Sequence, residues 1–495
     1  MPDTTATRPR SSSNESRQHC RPGRRRRVQP RRKTGGRPKG SVGTPRWFWR
    51  AHERRRAGRD GRRARRAFAV LRRDTLKLIS RAEVEGLARE CGFYQRTPRA
   101  IRAFEFVICC ALAAVAEGKR GFASVWRLLA AAVGVEVARS AVTQRFGEAS
   151  AAMMEKLFTL AVGRLPRPAC PDMLSKLERF RAVLADDATV LTLSPMLKKL
   201  FPATRTNSVA AAGKLHASVD AVHRRVVRVE LTGERTSDLA VARAQPIQPD
   251  TLYLEDLGYF SHDRLAEIVA GHGHFLLRLK ENSNPRVVGV RHGIRTPAVV
   301  VQGGLRLDDL DPTLHMAATR DTFDLDCEFQ TQEHGTVVLR VAGQLNAEAG
   351  RIHWYVTSLP AEQFSVEELA VLYSLRWVVE LLFKTLKSSC HLDHVDTSDP
   401  GALRTHLYAS LLAATILTAL TVAASSVHGL PPGAISPLAV GIAAPLLVMP
   451  LALLWCERRL TREELADTIL RVVAVGCVDQ NPNRTRAKWG RLARN

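Results

Sequence analysis

The chain has 495 residues and a net charge of +26, with 45% hydrophobic and 6% aromatic residues. That length suits roughly two to four domains, and so large a basic excess points to a polyanionic partner, nucleic acid first. The nine cysteines are odd in number and include no C-x-x-C pair, which argues against a disulfide framework or a structural zinc site and for a reducing compartment.

The charge is uneven along the chain. Residues 1–73 carry 25 Lys and Arg against 4 Asp and Glu, which leaves 49 against 44 for the rest. This segment is rich in Arg, Pro, Gly and Ser, lacks apolar periodicity and reads as a disordered basic arm. Within it, Lys33-Thr-Gly-Gly-Arg37-Pro-Lys-Gly40 resembles an AT-hook, an extended segment whose Arg37 would enter a narrow A·T minor groove. A generic Arg-rich tail is the alternative. No apolar run follows the basic N-terminus, so no secretory signal is read.

Residues 74–165 read as a helical N-terminal domain with DNA binding as its expected task. Ser80-Arg-Ala-Glu83 has the pattern of a capping box. Phe122–Val133, a Gly134 turn and Ala138–Glu148 read as a helix-turn-helix, with Ser140, Thr143, Gln144 and Arg145 on the second helix. A plain helical hairpin is the alternative.

Strand-like runs follow at Phe180–Leu184, Thr189–Leu193, Gly213–Val222, Val226–Leu231 and Thr251–Leu254, then a helix at 262–270 and a strand at Phe275–Leu279. This order predicts an α/β fold with an RNase H-like core, its first part spanning 174–282. Residues 283–360 read as a β-rich insertion, and 361–495 as the second part of the core with C-terminal helices. The runs at 407–424 and 437–455 are apolar enough to raise a membrane question. The first is rich in Ala, Ser and Thr and the second is broken by Pro445 and Pro450, so both read as buried helices of a soluble core.

Three acids stand out. In Tyr373-Ser-Leu-Arg376-Trp-Val-Val-Glu380 and onward to Lys387, one acid sits between two cations and a tyrosine. On a regular α-helix these four fall within about 60° of one another. Asp187 follows the Phe180–Leu184 strand and Asp256 follows Thr251–Leu254, both at strand ends where side chains can converge. Three clustered carboxylates need a cation, and hard oxygen donors suit Mg²⁺ or Mn²⁺. Two such ions about 4 Å apart serve phosphodiester chemistry. Each acid also has a plain reading: Asp186 as the ligand in place of Asp187, Asp256 as a turn residue, Glu380 as an i,i+4 ion-pair partner.

Together these residues resemble the DDE transposases of the bacterial insertion-sequence-four group. That group's Y-(2)-R-(3)-E-(6)-K signature is matched by Tyr373, Arg376, Glu380 and Lys387. Asp187-Ala-Thr189 matches its first acid. Asp256-Leu-Gly-Tyr-Phe260, followed by Phe275-Leu-Leu-Arg278-Leu-Lys280, matches its second. The resemblance implies cut-and-paste transposition by Asp187, Asp256 and Glu380 with two Mg²⁺ or Mn²⁺ ions. Tyr373, Arg376 and Lys387 would position DNA, with Arg278 and Lys280 as weaker candidates. It also implies double-stranded DNA partners (terminal inverted repeats and target), a homodimer in the DNA complex, no membrane, and a cytoplasmic, nucleoid-associated setting. In relatives a tryptophan of the insertion stabilises a flipped base; Trp354 stands near that position, one residue out of register. A nuclease without strand transfer and an inert DNA-binding remnant are the rivals.

Overall fold

The computed structural model describes residues 60–95, 100–116, 121–135, 137–165, 174–204, 209–223, 225–310, 321–346, 351–395, 397–430, 434–456 and 461–476. The first helix, α1 (Asp60–Asp74), corrects the expected arm of 1–73. Ala67, Val70 and Leu71 are buried, with Phe68 packed beside them. Six arginines had hidden this stripe, because its spacing is helical but its apolar side chains are mostly small. Arg37 lies outside the described residues.

Helices α2 (Arg81–Glu90), α3 (Ala103–Ala113), α4 (Phe122–Leu128), α5 (Arg139–Thr143) and α6 (Glu148–Gly163) follow. The expected reading helix Ala138–Glu148 is reduced to the five residues of α5. Its candidate Arg145 is engaged internally, donating to the Phe93 carbonyl at 3.2 Å with its guanidinium 5.4 Å from the Phe93 ring. Ser140 and Gln144 remain exposed.

The strands are β1 (Ala182–Leu193), β2 (Ala211–Asp220), β3 (Arg225–Gly233), β4 (Thr251–Leu254), β5 (His274–Arg278), β6 (Arg286–His292), β7 (Thr322–Gln330), β8 (Thr336–Asn346) and β9 (Arg351–Thr357). Among the described residues they form one sheet, ordered β3-β2-β1-β4-β5-β9-β8-β7-β6. β1, β4 and β5 are parallel, and β2, β3 and β6–β9 run antiparallel to their neighbours. The two runs expected around Asp187 are one continuous strand. The segment expected as a β-rich insertion supplies β6–β9, which join the same sheet through the pairing of β9 with β5. Helices α7 (Asp238–Arg243), α8 (His262–Ala270) and α9 (Pro297–Gln302) lie between strands in sequence.

Next come α10 (Val366–Tyr373) and α11 (Trp377–Lys384), then α12 (Pro400–His428), α13 (Pro437–Ala443), α14 (Val448–Trp455) and α15 (Arg462–Gly476). α10 starts at a capping box in which the Ser365 hydroxyl accepts from Glu368 N and Glu368 Oε2 accepts from Ser365 N. α12 starts with Asp399 accepting from Ala402 N at 2.6 Å and Pro400 in its first turn, and ends on left-handed Gly429. An 18-residue window of α12 is 83% buried, so its apolar run serves as a central core helix. The window Leu438–Trp455 is 50% buried.

Period-two alternation divides the sheet between two cores. Val183 and Ala185 of β1, Leu252 and Leu254 of β4, Leu276 of β5 and Tyr355 of β9 face the larger core, shared with Val379 and Phe383 of α11. Tyr253, Phe275, Leu277 and Val356 face the smaller core. This division decides which acids meet.

Candidate active site

Asp187 shares parity with Val183 and Ala185, and Asp256 shares parity with Leu252 and Leu254. Both therefore point to the face that carries α11. β1 pairs β4 from Ala182↔Thr251 to Ala185↔Leu254; continued, that register puts Asp187 level with Asp256. β4 stops at Leu254 while β1 runs on to Leu193, so the edge of β1 is open at this level. The strand-end geometry expected for Asp187 is thus created by its shorter neighbour. Asp256 caps a short 3₁₀ turn, its Oδ1 accepting from Gly258 N at 2.7 Å.

Glu380 comes from α11, across the same face. Arg376 links it to the sheet: Nη2 donates to Glu380 Oε1 at 2.5 Å and Nη1 reaches Asp187 Oδ2 at 3.4 Å. Asp187 senses the other two acids. Burial first, then the charges of Asp256 and Glu380, push Asp187 up to about 6, against the opposing pull of the Ala188 amide and Arg376. Tyr373 lies beside them, its ring 5.8 Å from the Arg376 guanidinium and 5.5 Å from the Tyr355 ring. Burial raises its phenol, with the Asp256 charge adding to the effect and Arg376 opposing it. Arg278 shares the parity of Leu276, pairs across to Tyr355 and donates to His353 Nδ1 at 2.6 Å.

The structure therefore brings together Asp187, Asp256, Glu380, Arg376, Tyr373 and Arg278. The single regular helix expected to carry the signature is instead interrupted. A 3₁₀ turn (Ser374–Arg376) separates α10 from α11, and a π-helical turn (Thr385–Ser389) follows α11. Each changes the rotation per residue, and Lys387 lies within the π-helical turn. Burial pushes its amine down, and its charged neighbour is Asp393. Lys280 is exposed beyond the end of β5. Trp354 is on the reverse face, half-buried against the smaller core, its ring against Gly343 and 5.8 Å from that of Phe323. Tyr355 and His353 take the site face instead. Ile352 and Val356 share the parity of Trp354.

Asp186, the alternative ligand, also faces the reverse side. It is 6% exposed and accepts from the Ser218 hydroxyl. Glu255 shares that side, and burial pushes it up to about 7 against the pull of Arg264, with Asp186 adding to the rise. Asp238 flanks the Asp256 turn, within 3.2 Å of Lys214 Nζ and 3.5 Å of His216 Nδ1.

Residues 178–416 match the transposase DDE domain, which encloses Asp187, Asp256 and the whole Glu380 helix. The protein is a DNA transposase. It is 22% identical over 362 residues to the transposase of insertion sequence IS231F of Bacillus thuringiensis subsp. israelensis, covering 67% of this chain and 75% of that one. It is 22% identical over 365 residues to the IS231C transposase of B. thuringiensis subsp. berliner, with the same coverage. A shorter stretch of 62 residues is 44% identical to the putative transposase InsL of IS186A from Escherichia coli K12, covering 12% of this chain and 17% of that one. Among solved structures, the piggyBac transposase synaptic complex with hairpin DNA aligns over 85% of this chain and 88% of its own, at a TM-score of 0.39 and 11% identity. The enzyme performs DNA cleavage and strand transfer.

Proposed function

We propose that this transposase is a cut-and-paste enzyme of the insertion-sequence-four kind, in which Asp187, Asp256 and Glu380 hold two Mg²⁺ or Mn²⁺ ions. The observation that carries this reading is the meeting of three carboxylates on one sheet face with a single guanidinium spanning two of them. The donor set fits a divalent cation. It is all hard oxygen, and the charges of Asp256 and Glu380 add to burial in raising Asp187. Such ions, when bound, make a water or 3′-hydroxyl nucleophilic and stabilise the leaving oxygen.

The remaining residues act on DNA. Arg376 offers a planar fork that can pass from carboxylates to a backbone phosphate. Tyr373 and Arg278 flank it, and Lys387 and Lys280 would touch DNA further out. The strand order β3-β2-β1-β4-β5, with its hairpin and parallel pairs, supports an RNase H-like core. Helices α2–α6 and the basic N-terminal segment would bind the terminal repeats, with an affinity that falls steeply with salt. A homodimer would hold two ends, in the cytoplasm at the nucleoid.

The test is incubation with Mg²⁺, a linear DNA bearing the element's terminal repeats, and a supercoiled target. Cleavage at the repeat ends followed by joining is expected, and Glu380→Gln should abolish both. Cleavage without joining would favour a nuclease. An active Glu380→Gln enzyme would remove the metal assignment.

A further inference from the structure

Each proposed ligand on the sheet is preceded by another acid, Asp186 before Asp187 and Glu255 before Asp256. Doubled acids leave the strand register chemically degenerate. Because strand side chains alternate, a slip of one residue would offer Asp186 or Glu255 to the Glu380 helix in place of its neighbour. The reverse face of the sheet breaks this degeneracy.

There Glu255 is 0% exposed and Asp186 6%, and the continued register of β1 and β4 sets them side by side. Asp186 accepts from Ser218, its cross-strand partner on β2. Glu255 Oε1 accepts from Arg264 Nη2 at 2.9 Å. Arg264 comes from α8, is itself buried, and lies 5.6 Å from the ring of Tyr253. The Tyr253 hydroxyl accepts from Gln248 N at 2.9 Å. Each reverse-face acid thus has a specific partner that its front-face neighbour could not use. A buried ion pair of this kind is no better for stability than a well-packed apolar pair. Its distinguishing property is that it accepts one register only.

We propose that Asp186, Glu255 and Arg264 are positioning residues, a buried clasp that holds β1 to β2 through Ser218 and the end of β4 to α8 through Arg264, so that Asp187 and Asp256, not their neighbours, face Glu380. This rests on Asp187 and Asp256 being the metal ligands. Groups that orient ligands in this way typically change metal affinity or activity by about 10- to 100-fold when removed.

The full-length protein is assayed for end cleavage across a Mg²⁺ titration, for binding of end DNA in EDTA, and for thermal unfolding. Glu255→Ala is expected to cut about 30-fold more slowly and to need about tenfold more Mg²⁺, with end binding within about twofold of wild type. Glu255→Gln keeps an oxygen for Arg264 and is expected to recover most of the rate. Ser218→Ala is a milder change that carries the test if Glu255→Ala does not fold, with an expected rise of about threefold in the Mg²⁺ requirement. A lower melting temperature with an unchanged Mg²⁺ requirement in both variants overturns the clasp. Asp256→Asn separates the two levels. If it still cleaves, the ligand reading itself falls. If it is inactive while Glu255→Ala and Ser218→Ala keep the wild-type Mg²⁺ requirement, only the clasp falls.

Discussion

Arg376 sits where a cation is needed, so its removal should help metal binding while harming catalysis. Its guanidinium contacts Glu380 at 2.5 Å and Asp187 at 3.4 Å, and the three side chains are 16%, 25% and 18% exposed. Charges about 4 Å apart interact by about 4 kcal/mol at an effective dielectric of about 20. Desolvation takes back much of this, and breaking a buried pair typically costs about 3–5 kcal/mol. If an entering metal displaces only the closer contact, about 2 kcal/mol is lost on binding, which is a factor of about 30 in affinity. Arg376→Gln avoids that loss. Without DNA it should bind Mn²⁺ about 30-fold more tightly than wild type, by calorimetry or by the Mn²⁺ resonance signal. In chelator it should melt below wild type, because three acids then lack their counter-ion, and Mn²⁺ should restore it. End cleavage should fall, since the DNA-facing fork is gone. A variant that binds Mn²⁺ no more tightly than wild type would refute the idea that the guanidinium occupies the metal's place.

A side-chain carbon at Gly258 would lie 3.1 Å from Asp256 Oδ1, so Gly258→Ala should displace that carboxylate and slow cleavage about tenfold, with thermal unfolding unchanged. Trp354→Ala should destabilise the fold by about 2 kcal/mol in urea unfolding, less than a fully buried tryptophan because the ring is half-buried, and should leave end binding intact. Lost DNA affinity at unchanged stability would contradict its reverse-face position. His216 is 2% exposed and burial lowers its pKa below 6.5. The unfolded chain therefore takes up its proton first, and stability present above about pH 6.5 is lost as pH falls. His216→Gln, whose amide can still donate to Thr232, should flatten the acid side of a plot of melting temperature against pH.

Much of the site was legible in the chain because its signals are local. Asp187, Asp256 and Glu380 were nominated from their immediate contexts, and the structure brings these three together on one face of the sheet. Other features were not legible because they depend on distant partners. Asp187 appeared to follow a strand that in fact continues through it; the strand that ends at this level is β4, which leaves the edge of β1 open. The helix at Asp60–Asp74 was obscured by its arginines; Arg63 approaches His428 and Asp467, which are remote in sequence. Trp354 had the right residue type and the wrong parity.

The sequence by itself nominated the candidate reactive groups and marked the apolar run at 407–424 as a core helix, which the structure extends to Pro400–His428. These follow from short-range rules of spacing and composition. Only the tertiary structure decided which acid of Asp186-Asp187 and of Glu255-Asp256 meets Glu380, and that Arg376 spans Asp187 and Glu380. Alternation states that neighbours face opposite ways, but not which way is inward. That choice is made by the helix docked on one face and by Ser218 and Arg264 on the other. The 3₁₀ and π-helical turns then reset the phase of the signature helix, a change that no spacing along the chain records.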